Sequence, residues 1–217
     1  MKRNSNNNGK PGKSSHPEAL RMPHYDIAMN GMAATAFLYA YRGWAVLPLF
    51  GTRDGVCRCP KGSKCKNPGR HPLTRGGVKD ATTNLFTIKS WWSKWPSANI
   101  GIATGKQSGI VLIDIDSKGE GQKSKLAIEK KLGPLPDTLA VKPSLNQRQM
   151  IYRYPTTKIG DGIVQVAPGL DLLSDGAYFL APRSRNAADG RVGWIKGKSI
   201  RSMGPALLTA SWLKHLS

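Results

Sequence analysis

Apolar residues recur at helical spacing over 26–42, DIAMNGMAATAFLYAYR, and the pattern stops before Gly43, which predicts a helix with a glycine stop. WAVLPLF follows as a continuous apolar run of the length of a buried strand. Residues 51–77 then break the pattern. They are rich in Gly, Pro, Cys and Lys, and are too long for a simple connection, so something must hold them. ATTNLFTIKSWWSKWP predicts a second helix, started by residues 81–83 and ended by Pro96. NIGIATG reads as a short strand, 109–116 as a longer one, and a basic helix is predicted over about 122–132. LAVKP and QMIYRYP predict antiparallel neighbours. IVQVAPGLDLL and AYFLAPRS predict two more strands, joined through a turn at Ser174, Asp175 and Gly176. GWIKG is short, and PALLTASWLKHL closes as an amphipathic helix. No internal repeat is evident. Clustered strands with a few helices predict an α+β fold rather than a wound parallel sheet.

One strand carries chemistry. In IVLIDIDSKGEG, four apolar residues lead into Asp114, Ile115 and Asp116. Side chains alternate along a strand, so both acids share a face, with carboxylates roughly 6–7 Å apart. Like charges that close raise one another's pKa unless a cation lies between them, and hard oxygen ligands suit Mg²⁺ or Mn²⁺. The plainer reading has the acids facing water at the strand end. A third acid, Asp171 in PGLDLL, starts a later apolar strand. Three converging carboxylates describe a two-metal phosphoryl-transfer site.

Charge adds a partner. Lys and Arg total 33 against 13 acids, a formal net charge of +20. Such a chain attracts polyanions, nucleic acid first among them. Residues 52–75 hold Arg53, Arg58, Lys61, Lys64, Lys66, Arg70 and Arg75 against the single acid Asp54, a patch suited to phosphates. The 217 residues suffice for one large domain or two small ones, and no run of 18 apolar residues predicts a membrane span. The N-terminus lacks the apolar stretch of a secretory signal and reads as a disordered basic tail over 1–24.

Three cysteines, an odd number, argue against a disulfide framework and for a reducing, cytoplasmic compartment. In CRCPKGSKCKNPGRH, Cys57, Cys59, Cys65 and His71 fit a closed tetrahedral zinc site that staples a loop poor in apolar residues. Free thiols beside a surface histidine are the alternative.

AYRGWAVLPL, PGRHPLTRGGVKDATT, IKSWWSKWPSANIGIATG, IVLIDIDSKGEG, KKLGPLPDTLAVKPS, GLDLLSDGAYFLAPRS and ASWLKHL together closely resemble the N-terminal domain of bifunctional DNA primase/polymerases, the prim-pol domain of the archaeo-eukaryotic primase superfamily. The resemblance covers about residues 30–217. It implies a catalytic domain over 25–217, in which an RRM-like sheet carries the acids beside a second lobe. The zinc-binding loop falls at about 52–77. It implies template-directed synthesis of a primer or DNA strand from nucleoside triphosphates on single-stranded DNA. Asp114, Asp116 and Asp171 would hold the catalytic Mg²⁺ or Mn²⁺, and Cys57, Cys59, Cys65 and His71 the structural Zn²⁺. Plasmids, phages and integrated elements are the usual setting, with a replicative helicase as an expected separate partner.

The chain departs from the family pattern. Where relatives carry Ser-x-His, with His on the incoming triphosphate, this chain reads PSLNQRQMIYRYP, and Gln149 takes the place of His. Leu145 and Asn146 replace the usual glycines, and Leu173 stands where relatives are often basic. Ser144 and Gln149 remain nucleotide-binding candidates. Gln149 can donate a hydrogen bond but carries no charge. Arg148 supplies a charge, yet strand alternation should turn it to the other face. Thr104 and Gly105 offer backbone N–H groups to phosphate, or form an ordinary turn. Lys79 could reach template or triphosphate, with Asp80 a helix cap. Trp91, Trp92 and Trp95 fit core packing, or a stacking platform with one ring exposed. Three functions compete: an active nucleotidyltransferase, a degenerate nucleic-acid-binding accessory or initiator module, and a metal-dependent nuclease using the same acids.

Overall fold

The computed structural model describes residues 31–187 and 190–217. The expected tail and the start of the first predicted helix lie outside them. In chain order the elements are α1 (Gly31–Tyr41), β1 (Val46–Leu49), the short ribbon β2 (Thr52–Arg53) and β3 (Val56–Cys57), α2 (Leu85–Lys94), β4 (Asn99–Ala103), β5 (Ile110–Asp116) and α3 (Glu120–Leu132). β6 (Leu139–Ser144), β7 (Gln147–Arg153), β8 (Ile163–Ala167), β9 (Leu170–Leu173) and β10 (Tyr178–Leu180) follow. A second ribbon, β11 (Arg185–Asn186) and β12 (Gly190–Arg191), precedes β13 (Gly193–Trp194) and α4 (Ala210–Leu216). Two larger sheets organise the chain, a three-stranded one in the order β1-β4-β10 and a six-stranded one in the order β13-β6-β7-β5-β9-β8. Every pairing between named strands is antiparallel.

Burial explains the layers. β1 and β4 are buried throughout, as strands covered on both faces must be. One core joins α1, α2 and the three-stranded sheet to the inner face of the larger sheet, through Ile110, Leu112, Val141, Ile151 and Leu173. The alternate residues of β5, Val111, Ile113 and Ile115, join a second core with Met150, Tyr152, Leu172 and Trp212. That core is closed by Ile128 and Leu132 of α3 and by α4. The indole of Trp212 donates to the Gly133 carbonyl at 3.0 Å and ties the two helices together.

Local chemistry moves several predicted boundaries. Residues 81–83 do not start α2. Thr82 bridges to Val46, and the side chain of Asn84 caps the helix by accepting the Thr87 N–H. Asp80 caps no helix, because its carboxylate turns back to accept the Gly76 N–H at 2.8 Å. The run 163–173 is a hairpin, β8 against β9, bent at Pro168 and Gly169. The expected turn at 174–176 forms, with the Ala177 N–H on the Ser174 carbonyl at 3.1 Å, but the strands it joins do not pair with each other. β9 lies in the larger sheet, whereas β10 pairs with β4 in the smaller one, so the chain crosses between sheets there. The reason is a set of outside partners. The Asp175 carboxylate accepts the Tyr154 hydroxyl (2.6 Å) and the Lys106 N–H (2.8 Å). Burial pushes that carboxyl up, but these donors, with Lys106 and Lys158, outweigh it and hold it low.

α3 starts against the end of β5 with no room to spare. A Cβ on Gly121 would stand 2.1 Å from the Gly169 carbonyl oxygen and 2.7 Å from the Asp116 nitrogen, all backbone. Gly121→Ala is therefore expected to cost about 1–3 kcal/mol in urea unfolding, the usual range for overpacking. An unchanged midpoint would mean that α3 is free to shift.

Candidate functional site

Strand register builds the site. Across the middle of the larger sheet, Gln149 of β7, Asp114 of β5, Asp171 of β9 and Gln165 of β8 lie in one row. Asp114 and Asp171 are direct cross-strand neighbours, on the face shared with the apolar Leu112 and Leu173. A strand fit for the core thus carries acids because its inner face runs from packed leucine into a cleft between the two sheets. The cleft, about 370 Å³, is lined by Asp114, Asp171, Gln149 and Leu173 of the larger sheet. Tyr178, Phe179 and Leu180 of β10 face them, with Asn67, Arg70 and His71 of the cysteine loop.

The carboxylates are under tension. The Gln149 Nε2 donates to Asp114 Oδ2 at 3.0 Å, while Asp114 Oδ1 and Gln149 Oε1 are buried with no hydrogen-bond partner among the described residues. Burial pushes the Asp114 carboxyl up, Gln149 and Arg70 pull it down, and Asp171 pushes it up again. Asp171 is also raised, by burial. A buried carboxylate oxygen without a donor, beside a second carboxylate, is the electrostatic demand that a divalent cation answers. Asp116, two residues further along β5, is exposed and is not among the residues that line the cleft. Its Oδ1 accepts the N–H groups of Lys118 (3.1 Å) and Gly119 (3.0 Å), which bends the chain into α3. Its Oδ2 makes no hydrogen bond among the described residues.

The cysteine loop arrives preassembled. One donor atom each from Cys57, Cys59, Cys65 and His71 lies within 4.8 Å of the others. His71 Nε2 stands 3.3 Å from Cys57 Sγ and 3.4 Å from Cys65 Sγ. Tetrahedral zinc with Zn–S of ~2.3 Å and Zn–N of ~2.0 Å sets donors roughly 3.5–4 Å apart, so the cluster can bind zinc. Stacking on Phe50, at 4.6 Å between centroids, fixes the His71 ring. The Tyr178 hydroxyl donates to the Arg70 carbonyl (2.9 Å) and the Asn99 amide to the Gly69 carbonyl (2.9 Å), which clamps the loop onto β10 and β4.

Other expected residues fall elsewhere. Arg148 registers with Ile115 and so faces the helical side, away from the acids. The N–H groups of Thr104 and Gly105 are spent on the Ala177 and Ile110 carbonyls, so they offer nothing to phosphate. A Cβ on Gly105 would strike Asp175, and the segment is a turn. Ser144 lines a neighbouring cavity of about 320 Å³ with Lys66, Gln147 and Arg70, so Arg70 borders both. Arg53, Arg58, Lys61, Lys64, Lys66, Arg75 and Lys79 are exposed and do not line the acidic cleft. Trp92 is buried, with its indole donating to Ala98, and Trp91 and Trp95 pack partly against the core, which leaves no stacking platform. Sequence reading passed over Asn67 and Tyr178. The polar ring at the start of an otherwise apolar AYFL was the available signal.

An antiparallel sheet thus lines up acids in a cleft, beside a Cys₃His cluster, on a strongly basic chain. The family model for "Bifunctional DNA primase/polymerase, N-terminal" matches residues 36–207, and the chain belongs to that family. A comparison with the curated proteins finds no match. Membership supports a primase/polymerase type of nucleotidyl transfer and implies a DNA template and nucleotide substrates. Among the described residues no helix is long and apolar enough to cross a membrane.

Proposed function

We propose that this domain adds nucleotides to a primer or DNA strand on a single-stranded DNA template, with Asp114, Asp171 and Asp116 holding Mg²⁺ or Mn²⁺. The observation that carries the reading is the buried, donorless Asp114 Oδ1 in register with Asp171 inside a nucleotide-sized cleft. The chemistry supplied by the bound cations is activation of a 3′-hydroxyl and neutralisation of charge on the transferred phosphate. The chain's own residues do the rest. Gln149 orients Asp114, and Asp116, exposed at the end of the same strand, supplies the third carboxylate. Arg70 is the one permanently charged cation among the cleft residues, and forms no ion pair among the described residues. It takes the charge role that uncharged Gln149 cannot fill, binding the triphosphate bidentately. We read the six-stranded sheet as the RRM-like half, the three-stranded sheet as the second lobe, and residues 25–217 as one catalytic domain. A mobile genetic element with a separate helicase is its proposed setting.

Primer extension and de novo synthesis on single-stranded DNA test the reading. Wild type is expected to incorporate nucleotides only with divalent metal. Arg70→Ala is expected to raise the nucleotide KM about tenfold, one charge-assisted contact, with kcat little changed. DNA binding without incorporation would replace the proposal with an accessory module, and DNA cleavage without triphosphates with a nuclease.

A further inference from the structure

Away from the acids, where the start of α1, β2 and the start of β4 come together, a second cavity of about 310 Å³ is lined by Thr52, Ser97 and Asn99 and by three arginines, Arg183, Arg185 and Arg191. The arginines are exposed, and none forms an ion pair with a carboxylate among the described residues. Two features mark this as a built arrangement. Arg185 and Arg191 are direct partners across the β11–β12 ribbon, a placement in which like charges repel. Arg183, two residues earlier, holds a positive φ of 77°, uncommon for a side chain of this size. The backbone beneath them is locked. The Asn99 side chain accepts the Arg185 N–H (3.0 Å) and donates to the Arg185 carbonyl (2.7 Å), and the Ser184 hydroxyl accepts the Ile100 N–H (2.9 Å). A rigid frame that holds three guanidinium groups together without a counter-charge is an anion receptor.

We propose that Arg183, Arg185 and Arg191 form a binding site for the phosphodiester backbone of single-stranded nucleic acid, separate from the acidic cleft. The same Asn99 amide group that bonds Arg185 also bonds Gly69, next to the cleft's Arg70. The site is thus fixed at a set distance from the cleft, and a strand held here is registered against the acids. Consecutive phosphates, rather than one free anion, match three separate guanidiniums, two across the β11–β12 ribbon and one from the turn before it.

The test is fluorescence anisotropy with single-stranded DNA across a salt series, using the full chain. It compares wild type, Arg183→Gln/Arg185→Gln/Arg191→Gln, and a charge-matched control, Lys130→Gln/Lys131→Gln/Lys214→Gln, on the helical side. Loss of three phosphate contacts is expected to lower the slope of log K against log salt by roughly two, at about 0.7 per contact. Affinity should fall at least tenfold at low salt, and the control should change little. Because the arginines repel one another, the variant should melt no lower than wild type. Equal behaviour of the two variants would reduce the site to net charge and overturn the proposal. Strong competition by inorganic pyrophosphate at wild-type DNA affinity would overturn it in favour of a free-nucleotide site. Nucleotide KM at the cleft is read separately. DNA binding can therefore fail while incorporation survives, or the reverse.

Discussion

Asp114→Asn is expected to abolish metal-dependent nucleotide incorporation and yet to raise the melting temperature. The loss follows from its place in the cleft. Removing one charged ligand forfeits several kcal/mol of transition-state stabilisation, about a thousandfold in rate. The gain follows from burial, which is the main reason the Asp114 carboxyl is raised. A raised carboxyl binds its proton more tightly folded than unfolded. Ionisation therefore costs stability, starting as pH climbs past the unfolded value and complete above the folded one. Asparagine has no such penalty and can still accept the Gln149 N–H. Thermal melts should show the variant and wild type converging in acid, diverging through the carboxylate range, and holding a constant gap near neutrality. Mg²⁺ should narrow that gap by stabilising wild type alone. A variant that melts lower at pH 7, or that gains equally from Mg²⁺, would sink the assignment of Asp114 as a ligand.

The second large effect lies in the cysteine loop. Cys59→Ser should weaken zinc binding by at least about 100-fold, because a closed four-ligand site loses a buried thiolate. Neither apolar core contains a zinc ligand, so the sheets should persist with most of the far-ultraviolet circular dichroism. The loop should not. Trypsin is expected to cut at the exposed Lys61, Lys64 and Lys66, which resist it in the zinc-loaded protein. Arg70, next to the ligand His71, should then leave the cleft. The nucleotide KM should rise as in Arg70→Ala, and adding that substitution should change nothing further. Independent, additive losses would show that zinc and the cleft are uncoupled.

How much of this could be read from residues alone depended on range. The β5 acids, the β6–β7 hairpin and the cysteine cluster are local patterns, and the structure forms each of them where expected. Arg148 was placed on the wrong side for phosphate by strand alternation alone, and that is where it lies. The crossing at 174–176 was not legible, because Ser-Asp-Gly serves a hairpin and an inter-sheet passage equally well. Only Tyr154 and Lys106, distant in sequence, decide between them. Thr104 and Gly105 misled for the same reason: a glycine-ended strand looks alike whether its N–H groups are free or spent. The three arginines stand close together within 183–191, but that they line one cavity depends on the β11–β12 pairing and on Asn99, far away in sequence.

The register that sets Asp114 against Asp171 also puts the two candidate metal sites on different clocks. The zinc ligands all fall between residues 57 and 71, a span that closes quickly and can be complete while most of the chain is still being made. The carboxylate pair does not exist until β9 has been synthesised and has docked on β5, past α3 and the whole β6–β7 hairpin. A nascent chain therefore carries the complete Cys₃His set while Asp114 still lacks its cross-strand partner. The exposed lysines of its loop are thus on display well before the acidic cleft exists.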